Sequence, residues 1–289
     1  MSNPLVSIVI PSYNSAQYID RLMASLLSQT YTNWEAIIVD NNSADDTIKL
    51  IGEYKDFRIK IYPIINNGII AKSRNLGIGK SNGEWIAFLD SDDWWEPNKL
   101  EISSKYFNTG IDLIYHRLTV AFDLNVRSNI SLHTRRIKNG YKDLLINGNF
   151  IPNSSVIFRK SLINKVGMIS ENIKLIGSED YNFLLKIIKQ TKKIKYIPKK
   201  LGFYYVNPTG VSRKKMSASH QEAINEFLMD CTLKESKFIR GHIAYMDAKY
   251  LIKNSDFLNS KKLLMEAINN GTIRIKIKAV ITLLRRFMG

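Results

Sequence analysis

Phe88-Leu89-Asp90-Ser91-Asp92-Asp93-Trp94-Trp95 sets three carboxylates within four positions at the end of an apolar run. Like charges this close repel, and a strand terminus has no need of them. Hard divalent cations take oxygen ligands, and Mg²⁺ accepts few carboxylates when substrate phosphates complete its shell. A cation site or a network of sugar hydroxyls is one reading of the cluster, and a solvated acidic turn is the other. The sequence on either side weighs on the choice.

Upstream, short strand-like runs at 6–10, 35–39, 59–64 and 85–89 alternate with helical patterns, the first of which covers 16–28. That alternation is the rhythm of an α/β sheet with mostly parallel strands. The first strand runs into Pro11-Ser12-Tyr13-Asn14 and the second into Asp40-Asn41-Asn42-Ser43. The third leads to Asn66-Asn67-Gly68 and a helix carrying Arg74, and the fourth delivers the acidic cluster. Ligands of open α/β sheets sit outside the carboxyl ends of the strands, so these segments are expected to line one crevice. Neither a Gly-x-Gly-x-x-Gly fingerprint nor a Gly-x-x-x-x-Gly-Lys-Ser/Thr loop occurs, which argues against dinucleotide dehydrogenases and P-loop NTPases. A nucleotidyltransferase would likewise need a phosphate loop near the first strand. His116, His133, His220 and His242 have no metal-like spacing, and with Cys231 alone no internal disulfide can form.

Five blocks in a fixed order resemble the inverting glycosyltransferases of family 2, which have the GT-A fold. They are Val6-Ser-Ile-Val-Ile-Pro-Ser-Tyr-Asn14, Val39-Asp-Asn-Asn-Ser-Ala-Asp-Asp-Thr47, Asn67-Gly-Ile-Ile-Ala-Lys-Ser-Arg-Asn-Leu-Gly77, Phe88-Leu-Asp-Ser-Asp-Asp93 and Gly177-Ser-Glu-Asp-Tyr181. Each is weak alone, but the ordered set is specific. The resemblance implies a Rossmann-like, mostly parallel sheet flanked by helices. It implies a catalytic domain over 1–213, with a nucleotide-binding half at 1–95 and an acceptor-binding half at 96–213. A C-terminal helical region at 214–289 would follow.

The same resemblance implies roles. Pro11, Tyr13, Asn14 and Asn67 would border the donor nucleotide, and Asp40 would accept a hydrogen bond from the base, although a strand-end Asp also caps turns. Arg74 would reach the base or diphosphate, with Ser91 nearby. Asp90 would touch the ribose or support a metal shell, and Asp92 and Asp93 would ligate Mn²⁺ or Mg²⁺, the inner ligand of the pair being left open. Asp180 would be the general base for the acceptor hydroxyl and Glu179 its orienting partner, although acids also suit a first helical turn. Asn153 and Ser154, which turns also favour, would face the acceptor with Trp95; of Trp94 and Trp95, one is expected in the core and one at the site. Ser212 and Arg213 would contact phosphate from a loop that departs from the family pattern, with Tyr205 and Asn207 where an Arg and a His are commoner. The stretch 120–139 fits no block and is read as a loop shaping the acceptor site.

Formal net charge is +16, from 42 Lys and Arg against 26 Asp and Glu, with the surplus in the second half. No nucleic-acid motif accompanies it, so no nucleic acid is expected and an anionic membrane is the better partner. The last stretch, 273–288, places Ile273, Ile277, Val280, Ile281, Leu284 and Met288 on one helical face among Arg274, Lys276, Lys278, Arg285 and Arg286. That pattern suits an interfacial helix and equally a docked terminal helix with its basic side wet, while 273–278 alone could also be a strand. With no secretory leader or membrane span, the expected location is the cytoplasm, peripheral on the inner face of the cell membrane. The expected activity is metal-dependent transfer from a nucleotide-sugar, most simply a UDP-sugar, to a saccharide or lipid-linked saccharide during surface polysaccharide synthesis. The alternative is a non-catalytic carbohydrate- or nucleic-acid-binding protein on a transferase-like fold.

Overall fold

The computed structural model describes residues 3–124, 129–207 and 216–287. Two compact units emerge: one made of 1–136, 150–171 and 186–208, the other of 137–149, 172–185 and 209–289. A single cut at residue 213 does not reproduce this division, because two short segments from the middle of the chain belong with the C-terminal helices.

In chain order the elements of the first half are β1 (Val6–Ser12), α1 (Ala16–Leu27), β2 (Trp34–Asp40), α2 (Thr47–Glu53), β3 (Ile59–Pro63), α3 (Ile70–Lys80), β4 (Trp85–Phe88), β5 (Trp94–Trp95) and α4 (Lys99–Ser104). After them come β6 (Leu113–Ala121), α5 (Gly140–Asn147), β7 (Ile157–Arg159), α6 (Ile163–Val166), α7 (Glu179–Gln190) and β8 (Ile194–Tyr205). The chain then continues through α8 (Ser217–Ile224), α9 (Leu233–Lys253), α10 (Phe257–Asn270) and α11 (Ile273–Phe287).

The first unit holds an eight-stranded sheet in the order β3-β2-β1-β4-β7-β6-β8-β5. Strands β3, β2, β1 and β4 are parallel, as are β6 and β8, whereas β7 and β5 pair antiparallel with their neighbours. Every residue of β1 and β2 is buried, the mark of parallel strands covered on both faces. Helix α1 buries Tyr18, Ile19, Leu22, Met23 and Leu26, recurring at three and four residues, against that sheet. Gly77 of α3 lies so close to β1 that a Cβ there would meet Val9 Cγ1 at 2.5 Å, which accounts for the glycine of the third block as packing.

At the amino ends of the strands, away from the crevice, Glu35 accepts hydrogen bonds from Ser7 Oγ (2.7 Å), Asn82 N–H (2.6 Å), Asn82 Nδ2 (3.1 Å) and Lys60 Nζ (2.8 Å). Burial pushes this carboxyl up, but the four bonds outweigh it and hold it down at about 2, against an ordinary 4.5. A depressed carboxyl stabilises the fold fully above its ordinary value and loses that contribution as pH falls toward about 2. Glu35→Gln is expected to lower stability by about 1–3 kcal/mol at neutral pH and to flatten the acid limb of a pH-dependent urea titration between those limits.

Two local expectations shift. Part of the stretch read as a loop folds back on β6, with Val120 N–H donating to Ile130 O and Leu132 N–H to Leu118 O; backbone groups beside a buried strand need such partners. Residues 273–278 are helical, not a strand.

The second unit packs Ala244 and Ala248 of α9, Leu264 and Ala267 of α10, and Ile275 and Ala279 of α11 into a small core. Among the described residues no helix is long and apolar enough to cross a membrane.

Candidate active site

At the carboxyl ends of β1, β2 and β3 the chain turns on Asn14, Asn42 and Asn67, all with positive φ (46°, 53° and 53°). Asparagine tolerates this left-handed backbone better than other residues with a Cβ. The turns are tied together. Asn14 N–H donates to Ser43 Oγ (2.9 Å), Ala44 N–H donates to Asn14 Oδ1 (2.9 Å), and Asn66 N–H donates to Asn41 Oδ1 (2.8 Å). Asp40 is buried and accepts from both the N–H (2.9 Å) and the hydroxyl (2.6 Å) of Ser43, so its carboxylate organises the turn. Pro11 is buried, whereas Tyr13, Asn14 and Asn67 stand exposed at the rim.

The acidic cluster separates into three environments. Asp90 is half-buried and pairs with the buried Arg74, whose Nη2 donates to Oδ1 at 2.8 Å; Asn153 Nδ2 reaches the same oxygen at 3.3 Å. Asp93 is enclosed: Ser154 Oγ donates to its Oδ2 (2.5 Å) and Tyr205 N–H to its Oδ1 (2.9 Å). Asp92 is partly exposed and has a long contact from Asn207 Nδ2 (3.3 Å). Burial and then the charge of Asp90 push its carboxyl up to about 6; Asp93, buried and next to both, is raised as well. Ser91 Oγ meets Ser15 Oγ at 2.8 Å, joining the cluster to the start of α1.

This geometry redistributes the expected roles. Asp93 serves as an internal anchor, since burial and two donors take it out of reach of a cation. Asn153 and Ser154 are also buried; Asp90 N–H donates to Ser154 Oγ (3.1 Å), so both side chains brace the turn and do not open toward an acceptor. Trp95, expected beside the acceptor, is 2% exposed with its Nε1 donating to Ser154 O (2.8 Å) and Lys99 Nζ 3.2 Å from its ring centroid. Trp94 takes the surface role of the pair, stacked on Phe203 at 4.9 Å with the Arg21 guanidinium 4.6 Å away. Arg21 and Asn207 join the site unforeseen. Asn207 stands out in the sequence only as a departure from the family pattern, and no local signal marks Arg21 on α1. Ser212 and Arg213 lie outside the described residues.

Among the described residues no three or more His, Cys, Asp and Glu side chains form a ready metal cage. The donor set nevertheless suits a divalent cation that draws most of its ligands from substrate phosphates: a partly exposed carboxylate, Asp92, held beside Asp90, whose like charge repels it.

Glu179 and Asp180 open α7, in the second unit. Gly177, at φ +86°, turns the chain into that helix, and Gly177 N–H donates to Glu179 Oε2 (2.7 Å). Asp180 Oδ1 accepts from Tyr181 N–H (2.7 Å), and the carboxylate is half-buried. Tyr181 anchors the turn, stacked on His220 at 4.6 Å with its hydroxyl donating to Leu144 O (2.9 Å). Glu179 is buried, which fits a supporting carboxylate better than a reacting one.

The parallel β3-β2-β1-β4 half-sheet, with the Arg74–Asp90 pair and Asp92 at its strand ends, is the arrangement that the resemblance to GT-A glycosyltransferases implies. The model of Glycosyl transferase family 2 matches residues 7–167, more than half of the chain, and the protein belongs to that family. The Escherichia coli UDP-Glc:alpha-D-GlcNAc-diphosphoundecaprenol beta-1,3-glucosyltransferase WfgD is 34% identical over 190 residues, 65% of this chain and 72% of that protein. Among solved structures, S. aureus TarS in complex with UDP superposes with a TM-score of 0.63 at 20% identity, over 94% of this chain and 82% of that one. The mannosyltransferase PcManGT from Pyrobaculum calidifontis, in complex with GDP-Man and Mn²⁺, superposes with a TM-score of 0.64 at 16% identity, over 99% and 82%.

Proposed function

We propose that this glycosyltransferase moves a sugar, with inversion, from a UDP-sugar to a saccharide or lipid-linked saccharide in surface polysaccharide synthesis. The observation that carries the reading is the division of labour in the acidic turn. Arg74 and Asp90 form a fixed pair, Asp93 is an anchor, and Asp92 is the carboxylate left for a cation beside the strand ends. The family, the UDP-Glc-using relative and the UDP complex of a protein with the same fold support the donor class. The diphosphoundecaprenol in the relative's name supports a lipid-linked acceptor.

In this reading the nucleotide-binding half, 1–95, holds the base and ribose against Pro11, Tyr13, Asn14, Asn67 and Asp90, whose carboxylate the buried Arg74 holds in place. Asp92 would hold Mn²⁺ or Mg²⁺, which supplies positive charge to the departing diphosphate. Asp180 takes the proton of the acceptor hydroxyl as that oxygen bonds to the anomeric carbon. The bond from that carbon to the nucleotide diphosphate breaks on the opposite face, giving inversion in one displacement. Glu179 holds the turn that presents the base. The acceptor half, 96–213, would then present the acceptor hydroxyl to Asp180.

Calorimetric titration of UDP into the protein is the direct test. Saturable heat with Mn²⁺ that disappears in EDTA is the expected result; binding of GDP or dTDP but not UDP would change the donor, and silence with all three would remove the donor site.

A further inference from the structure

Helix α11 docks by a different face from the one its sequence makes most apolar. Ile275 and Ala279 are buried and Leu283 is partly so, in the core shared with α9 and α10. The longer stripe points to solvent: Ile273 is 78% exposed, Ile277 55%, and Val280, Ile281 and Leu284 about two-fifths each or slightly more. Soluble helices normally place such a stripe inward, and a row of five large aliphatic groups left outside marks a contact surface.

Charge identifies what the surface meets. Residues 273–287 contain Arg274, Lys276, Lys278, Arg285 and Arg286 and no acid. At one edge of the stripe, Lys249 and Ile252 of α9 and Ile281, Thr282, Arg285 and Arg286 of α11 line a cavity of about 300 Å³, with basic and apolar side chains together. Crowding of cations is evident at Lys278, whose ammonium is pushed down by burial and by the Arg274 and Lys249 charges. An anion beside these groups would relieve the repulsion. A protein partner would also bury the stripe, but the same-sign flanks select a surface that is apolar within and anionic at its rim. At 15 residues the helix is about 22 Å long and too basic to span a bilayer, so it would lie along one.

We propose that the outward face of α11 is a membrane-docking surface that lies in the headgroup layer of an anionic phospholipid bilayer. Ile273, Ile277, Val280 and Leu284 enter the acyl boundary, and Lys249, Arg285 and Arg286 gather around a lipid phosphate. The helical unit alone supplies these groups, independently of the donor and metal assignments.

Flotation of the full chain with phosphatidylcholine vesicles, with and without phosphatidylglycerol, tests it. Binding to the anionic vesicles only, weakened by salt, is expected. Arg285→Glu with Arg286→Glu should weaken it by about thirtyfold or more, from roughly 1 kcal/mol per basic residue near the surface. Ile277→Asp with Leu284→Asp should weaken it at least about tenfold. These side chains are exposed, so unchanged thermal melts and unchanged UDP binding with Mn²⁺ are the controls. Equal binding to both vesicle types, or to neither, would overturn the proposal. So would a doubled mass in light scattering without vesicles that the Ile277→Asp, Leu284→Asp variant abolishes, because a second copy would then cover the stripe. If the native protein floats but binds no UDP, the donor reading fails and this one stands.

Discussion

Asp180→Asn is expected to reduce kcat by about 10²–10⁴ while leaving UDP affinity in Mn²⁺ within about twofold, since a positioned general base contributes on that scale and the donor does not depend on it. The amide keeps the size of the side chain and can still accept from Tyr181 N–H, so the first turn of α7 has no reason to unwind. What disappears is the capacity to take the acceptor proton. Steady-state kinetics with a saccharide acceptor, paired with calorimetry of UDP, separates the two effects. A variant that transfers sugar at the native rate would move the base elsewhere. The neighbouring Glu179 should behave differently. It is buried and accepts from Gly177 N–H, so its replacement disturbs the turn as well as the chemistry and is the poorer diagnostic.

The second large effect falls on the donor side. Asp92→Ala should abolish Mn²⁺-dependent binding of UDP and lower kcat/KM by about three orders of magnitude, the kinetic equivalent of losing several kcal/mol of charge stabilisation at the leaving group. Its structural cost should be small, because the substitution removes one long hydrogen bond from Asn207 (3.3 Å) and relieves the repulsion from Asp90 at the same time. Asp93→Ala is the contrasting case. It leaves the Ser154 hydroxyl and the Tyr205 N–H without their acceptor in a buried position, so it should be visible first as a lower melting temperature. If instead Asp93→Ala keeps full stability and loses metal-dependent binding, the two carboxylates have exchanged the parts assigned to them.

The parallel half of the sheet and its crevice were legible from residue order because the information is local. Buried parallel strands read as unbroken apolar runs, and the turns after them are written in Asn, Ser, Asp and Gly. Boundaries moved by one or two residues, and the alternation of strands and helices followed the expected rhythm. The duties of the individual acids were not legible. Asp93 is held by Ser154, 61 positions away, and by Tyr205, 112 positions away, and no window around 90–93 contains either partner. Trp95 went inward for the same reason: its indole N–H is satisfied by Ser154 O, 59 positions distant. Asn153 and Ser154 looked free to face an acceptor because their real partners, Asp90 and Asp93, are distant in sequence.

Helix α11 shows the same division at its simplest. Periodicity in the sequence was enough to establish a helix with an apolar stripe and a basic remainder, because side-chain direction follows from 3.6 residues per turn. It could not say which face meets protein. Small residues decided that: Ala279, Ala244, Ala248 and Ala267 let three helices approach closely around Ile275, and the bulkier stripe was left outside. Local chemistry thus set the elements, the strand-end turns and the family, since each depends on neighbours in the chain. Close packing between distant segments chose which carboxylate stays reachable and which helix face remains exposed, because burial is a property of partners that the chain order does not place side by side.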